Sequence, residues 1–224
     1  TTTTPKTARC RTTNESADTT ACTIAGWTTS ATYFVKIWTD PDDTASGGGG
    51  VNSSHRHGGK WNASAYRMEC TGSHCIFTNG KVFLKMFGLQ LKLTSVSGDP
   101  YGALKLYELA GTAFSVWVGY CIVCGDPADT STAGWGGLIM LCGSSSTAGT
   151  LTLYNSIVYD FRRANTSYDG AVHLDGGAST LNAYNVTVFN CAFAYFRERG
   201  TMNCYNCIAN DSTDGFKGKI GGSY

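Results

Sequence analysis

Three groups of side chains in this chain have residue types and spacing that chemistry could use. The first lies in "SSHRHGGKWNASAYRMEC", Ser53 to Cys70, where His55 and His57 stand two apart and would face the same way on an extended backbone, as two ligands of one metal ion must. A zinc site needs further thiolate, imidazole or carboxylate ligands, and only Cys70, His74 and Cys75 follow. The expectation is no metal and no cofactor: the segment closes a loop that hydrogen-bonds its own backbone and packs Trp61 on a wall. The second group is two C-x-x-C matches, "CIVC" (Cys121 to Cys124) and "CYNC" (Cys204 to Cys207), too far apart for a zinc ribbon and without the βαβ setting of a redox motif. The third is "AVHLDGG", where His173 and Asp175 should project outward from one strand. Lys105 and Met140 would stack beside the histidine, and Tyr107 and Cys142 beside the aspartate. Cleaving an acidic polysaccharide takes calcium-binding carboxylates with a basic residue, or paired carboxylates about the scissile bond. This column mixes charge, thioether and thiol instead, and "DPDD" and "DSTD" read as turn formers.

The elements that must carry these groups are strands. Gly 28, with abundant Thr, Ser and Asn but only Pro 4 and 15% charged residues, describes short strands and turns in an all-β chain. The 224 residues suffice for a sizeable core and are expected to form a single domain over 1–224. The formal net charge of +1, with Lys+Arg 17 and Asp+Glu 16 scattered without blocks, leaves no footprint for nucleic acid or anionic lipid. Apolar runs such as "GLIML" are far too short to span a bilayer as a helix. Cys 10 supports two readings: an oxidising, extracellular setting with local disulfides, or small buried hydrophobes. Six N-x-[ST] matches begin at Asn14, Asn52, Asn62, Asn165, Asn185 and Asn210, and have meaning only in a eukaryotic secretory route.

The second half repeats. "GALKLYELAGTAFSVWVGYCIV" from Gly102, "GLIMLCGSSSTAGTLTLYNSIV" from Gly137 and "GAVHLDGGASTLNAYNVTV" from Gly170 share one order: a Gly, an alternating strand, a polar turn, a second alternating strand and a short third one. Aligned on those glycines, Leu104 and Leu106, Ile139 and Leu141, and Val172 and Leu174 stack as inward columns. "MNCYNCIAN" matches "LNAYNVTVF" and "LTLYNSIVY", so Asn155, Asn185 and Asn206 form a corner ladder whose amides bond along the column. The same alignment puts Cys121 and Cys207 in one column with Ser156 and Val186, as small wall residues. Tyr107, Trp117, Tyr154, Tyr184 and Tyr205 fall opposite the apolar columns. Tyr154, Tyr184 and Tyr205 make a stripe able to pack against another subunit or stack on sugar rings, the lateral contact being favoured. Residues 1–22 are expected as an extended arm and 39–67 as a loop insertion. Such spacing suits the coils of an all-β solenoid with loops of varied length.

With "IAGWTTSATYFVKIWTDP", "SSHRHGGKWNASAYRMEC" and "KVFLKMFGLQLKL" read beside these repeats, the chain resembles right-handed parallel β-helix proteins of the pectate-lyase-like kind. Members of that family are surface, secreted or phage-encoded proteins of environmental bacteria and their viruses. The resemblance spans about Cys22 to Phe216 and carries no established activity. Relatives have more sequence before "GWTTSAT" and after "TDGF", so a processed or partial chain, or one with ends covered by neighbours, is expected. The implied function is a non-enzymatic structural protein of a virus particle or extracellular fibre. Its expected partners are itself, other structural subunits and surface polysaccharide. A polysaccharide lyase or glycoside hydrolase of the same fold is the alternative.

Overall fold

The computed structural model describes residues 4–12, 14–41, 55–80, 82–95, 102–108, 113–128, 136–142, 148–162 and 170–218. The segment "SGGGGVNSS", Ser46 to Ser54 within the expected 39–67 insertion, lies outside them. Eighteen strands follow one another: β1 (Lys6–Arg9), β2 (Cys22–Ala25), β3 (Val35–Trp38), β4 (Met68–Thr71), β5 (Ile76–Asn79), β6 (Phe83–Phe87), β7 (Gln90–Ser95), β8 (Gly102–Glu108) and β9 (Phe114–Gly119). The second half adds β10 (Ile122–Cys124), β11 (Gly136–Cys142), β12 (Gly149–Tyr154), β13 (Ile157–Tyr159), β14 (Gly170–Tyr184), β15 (Thr187–Phe189), β16 (Phe193–Tyr205), β17 (Ile208–Asn210) and β18 (Asp214–Gly218). There is no helix among the described residues, and every strand pairing among them is parallel.

From β2 to β11 each strand pairs with the strand three places later. The step is two at β1–β3 and again from β12 onward, where the long β14 and β16 each do the work of two earlier strands. Among the described residues one sheet of 12 strands and one of 6 result. Residues 1–22, read as an extended arm, supply β1 to the edge of β3, and Asp18 bridges to Met68 on β4.

Two-residue alternation fixes which side chains meet. Leu84, Val116, Leu151 and Leu181 are register neighbours and fully buried, as are Leu91, Val123, Val158 and Val188 in the smaller sheet. Stacking these branched side chains in columns buries apolar area at about 25 cal/mol per Å². The glycine alignment needs one correction. Gly136, not Gly137, pairs with both Gly102 and Gly170, so Leu138 and Met140 take the positions expected for Ile139 and Leu141. Ile139 lies beside Lys105 and His173, and Leu141 beside Tyr107 and Asp175. Gly136 is the better anchor because its φ is +113° and a Cβ there would strike the carbonyl of Gly170.

Corners are built from left-handed residues. Gly88, Tyr120, Asn155, Asn185 and Asn206 have φ of 72°, 55°, 47°, 53° and 51°. Each amide from Gly88 to Asn185 donates to a carbonyl of the next layer: Gly88 to Gly119, Tyr120 to Tyr154, Asn155 to Tyr184 and Asn185 to Tyr205. Asn185 Nδ2 also donates to Asn155 Oδ1 at 3.1 Å. A second corner holds Asp160, Asn190 and Asp211, again at positive φ, with Asn190 Nδ2 bonded to Asp160 Oδ1. Asn visits this region more easily than other side chains, and a Cβ residue without its amide costs roughly 1–2 kcal/mol there. Asn185→Ala should therefore lower unfolding free energy by about 1 kcal/mol in urea titration, while Asn185→Gly stays closer to wild type. Equal stability of the two variants would remove the backbone explanation.

Candidate functional site

The group around "AVHLDGG" is built by an irregularity. On β14 and β16, Leu174 pairs with Arg197 but Asp175 pairs with Arg199, so Glu198 is an extra residue in a bulge. The bulge brings Glu198 Oε2 to 3.8 Å from His173 Nε2 and lets Arg199 Nε donate to Asp175 Oδ1 at 2.5 Å. His173 lies on the face opposite Leu174, as alternation requires, yet it is fully buried and not projecting into solvent. Its ring lies 4.7 Å from that of Phe196, its register neighbour on β16. Burial lowers its pKa from 6.5 to about 4, against the pull of the Asp175 charge. At neutral pH this is an uncharged imidazole beside a carboxylate already held by an arginine. Neither Glu198 nor Arg199 follows from strand alternation, which treats "RERG" as four ordinary positions.

His55 and His57 are occupied by backbone. Thr12 N–H donates to His55 Nδ1 at 3.3 Å. Gly59 N–H donates to His57 Nδ1 at 3.1 Å, and His57 Nε2 lies 2.8 Å from Tyr120 O, the arrangement of a neutral ring protonated at Nε2. Burial lowers its pKa as well. Arg56 Nη2 donates to Thr39 O at 2.8 Å, and Gln90 clasps Asn62 by accepting from its N–H at 2.6 Å and donating to its carbonyl at 2.9 Å. The described end of the insertion is thus fastened to its own start at Thr39, to Gln90 on β7 and to the corner at Tyr120. Among the described residues no group of three or more His, Cys, Asp or Glu could hold a metal ion.

The nine described cysteines whose side chains are defined are free thiols. Burial raises Cys121 to about 11, Cys124 to about 12 and Cys191 to about 12, so these are protonated packing groups rather than thiolate ligands. Cys121 shares its column with Ser156, whose Oγ accepts from Cys121 N at 3.1 Å.

On the outward side of the larger sheet, Tyr154, Tyr184 and Tyr205 are register neighbours, with Gly119 and Phe87 preceding them. Tyr184 and Tyr205 stack at 5.0 Å and 8°, and are 40% and 52% exposed. Tyr154 turns the other way, onto Gly119. Trp117 is 43% exposed in the adjacent column, and Tyr107 is half-buried on another strand. No helix of the described residues is long and apolar enough to cross a membrane. Compared with protein-family models, with curated proteins and with solved structures, the chain returned no match.

Proposed function

We propose that the chain is a right-handed parallel β-helix of the pectate-lyase-like kind, serving as a non-enzymatic structural subunit of a virus particle or extracellular fibre. It acts through lateral or end-to-end association and through glycan contact, outside the cell or on the virion. The observation that carries the reading is an apolar column left uncovered among the described residues. Leu104, Leu138, Val172, Tyr195 and Phe216 are successive register neighbours; the first four are at most 1% exposed and Phe216 is 60% exposed. Phe216 stacks on Tyr195 at 4.7 Å and 4°, and β17 and β18 are edge strands. A hollow of about 280 Å³ lies there, lined by Tyr195, Met202, Cys204 and Phe216 among others. Edge strands with apolar side chains invite a further layer.

Burying one such ring contributes ~1.5–3 kcal/mol, so Phe216→Asp should weaken self-association by about tenfold or more in sedimentation velocity. A monomer in both wild type and variant would refute association through this end. The alternative, a lyase or hydrolase, draws on the cluster of His173, Asp175, Glu198 and Arg199. Assays for unsaturated products and reducing ends on acidic polysaccharides decide it: turnover lost in His173→Ala or Asp175→Ala would replace the structural reading.

A further inference from the structure

The wall carries an aromatic seat whose geometry is more specific than a stripe. The Tyr154 ring carbons Cζ, Cε1 and Cε2 all lie within 3.0 Å of where a Cβ on Gly119 would be, at similar distances. Such contacts arise when the ring lies face-down on the glycine backbone, which leaves its other face outward. Trp117 stands nearly perpendicular to it, at 6.4 Å and 79°, and Tyr120 does so at 5.4 Å and 80°. Phe87 closes a third side at 6.3 Å. The result is a flat floor with upright aromatic walls, made possible by one residue without a side chain.

Beyond Trp117 lies a cleft of about 200 Å³ lined by Phe34, Phe83, Lys85, Ser115 and Trp117 itself. Downstream, the column of Trp117 continues as Thr152, Asn182 and Asn203, with Asn203 Nδ2 donating to Asn182 Oδ1 at 2.9 Å. The seat is thus bordered by hydroxyls and amides, not by more apolar surface. None of the residues in these columns from Phe83 to Tyr205 is acidic.

An aromatic cup can also hold a quaternary ammonium. Here the neighbouring cations oppose one: Arg56 Cζ lies 5.9 Å from the Tyr120 ring and Lys36 Nζ 5.9 Å from Phe87. A pyranose ring carries no charge, places its axial C–H bonds on an aromatic face and its equatorial hydroxyls among side-chain amides. We propose that Tyr154, seated on Gly119 and walled by Trp117 and Tyr120, binds one ring of a neutral, equatorially linked hexopyranose chain, with the cleft beyond Trp117 taking the next ring. Lacking carboxylates, the seat binds without cleaving. This rests on the reading of the wall as a contact surface and gives that contact a chemistry.

The test is titration of the full chain with cellohexaose, followed by Trp fluorescence and calorimetry, with hexagalacturonate as the acidic counterpart. Saturable binding of cellohexaose is expected, weakened about tenfold or more in Tyr154→Ala and retained in Tyr154→Phe, because stacking needs the ring and not the hydroxyl. Absence of binding, equal binding by Tyr154→Ala, or preference for the acidic oligosaccharide would overturn the proposal. Sedimentation of the same samples separates the two ideas. Oligomers that ignore cellohexaose remove only the sugar seat, and monomers that bind it remove only the association.

Discussion

Acidification from pH 7 to 4 should cost the folded protein roughly 3 kcal/mol through His173 alone. Its side chain is fully buried, and burial holds its pKa at about 4 against 6.5 in an open chain. Between those two values the unfolded chain takes up a proton that the native state refuses, so unfolding is favoured as pH falls. The stability is fully present above about 6.5, declines toward 4 and then stops changing through this group. Chemical denaturation at half-unit steps should show that slope, and His173→Gln should flatten it. An imidazole titration by NMR reads the same quantity without unfolding. A His173 pKa near 6.5 would end both this prediction and the picture of a neutral ring under Phe196 and Glu198.

Leu153→Ala should cost about 3 kcal/mol, and Thr152→Ala, one residue away, less than about 0.5 kcal/mol. Leu153 is fully buried between its register neighbours Val118 and Ala183, whereas Thr152 faces outward between Trp117 and Asn182. Deleting Leu153 removes buried methyl groups and leaves a void that packed strands on both sides close poorly. Thermal or urea unfolding of the two variants measures the contrast. Similar losses at both positions would mean that the alternation assigned to β12 is wrong.

Much of the wall was legible because its signals are periodic. The match of "LTLYN", "LNAYN" and "MNCYN" put Leu151, Leu181 and Met202 in one column and the three tyrosines in another, and the register agrees. The same match set Cys121 beside Ser156. The glycine alignment slipped by one because Gly136 and Gly137 offer two anchors. In a period of two, such a slip exchanges the faces of a whole strand. The signature of the second corner was present and unread: Asp160, Asn190 and Asp211 each follow an Asn of the first corner by five residues. The burial of His173 was not legible, since it depends on a bulge at Glu198 that no alternation announces. Nor could spacing reveal that Tyr154 turns away from Tyr184, which follows from the space over Gly119.

Across the first corner the chain takes 35 residues between one pair of layers, 30 between the next and 21 between the last. The parallel register of the strands continues while the path length shrinks, so the surplus lies between the paired strands and not within them. A molecule organised this way tolerates grafts: a foreign peptide inserted between layers lengthens a loop and leaves the neighbouring strands in place. Whole layers could be gained or lost by gene duplication on the same terms, which makes reach, rather than shape, the property that evolution can adjust.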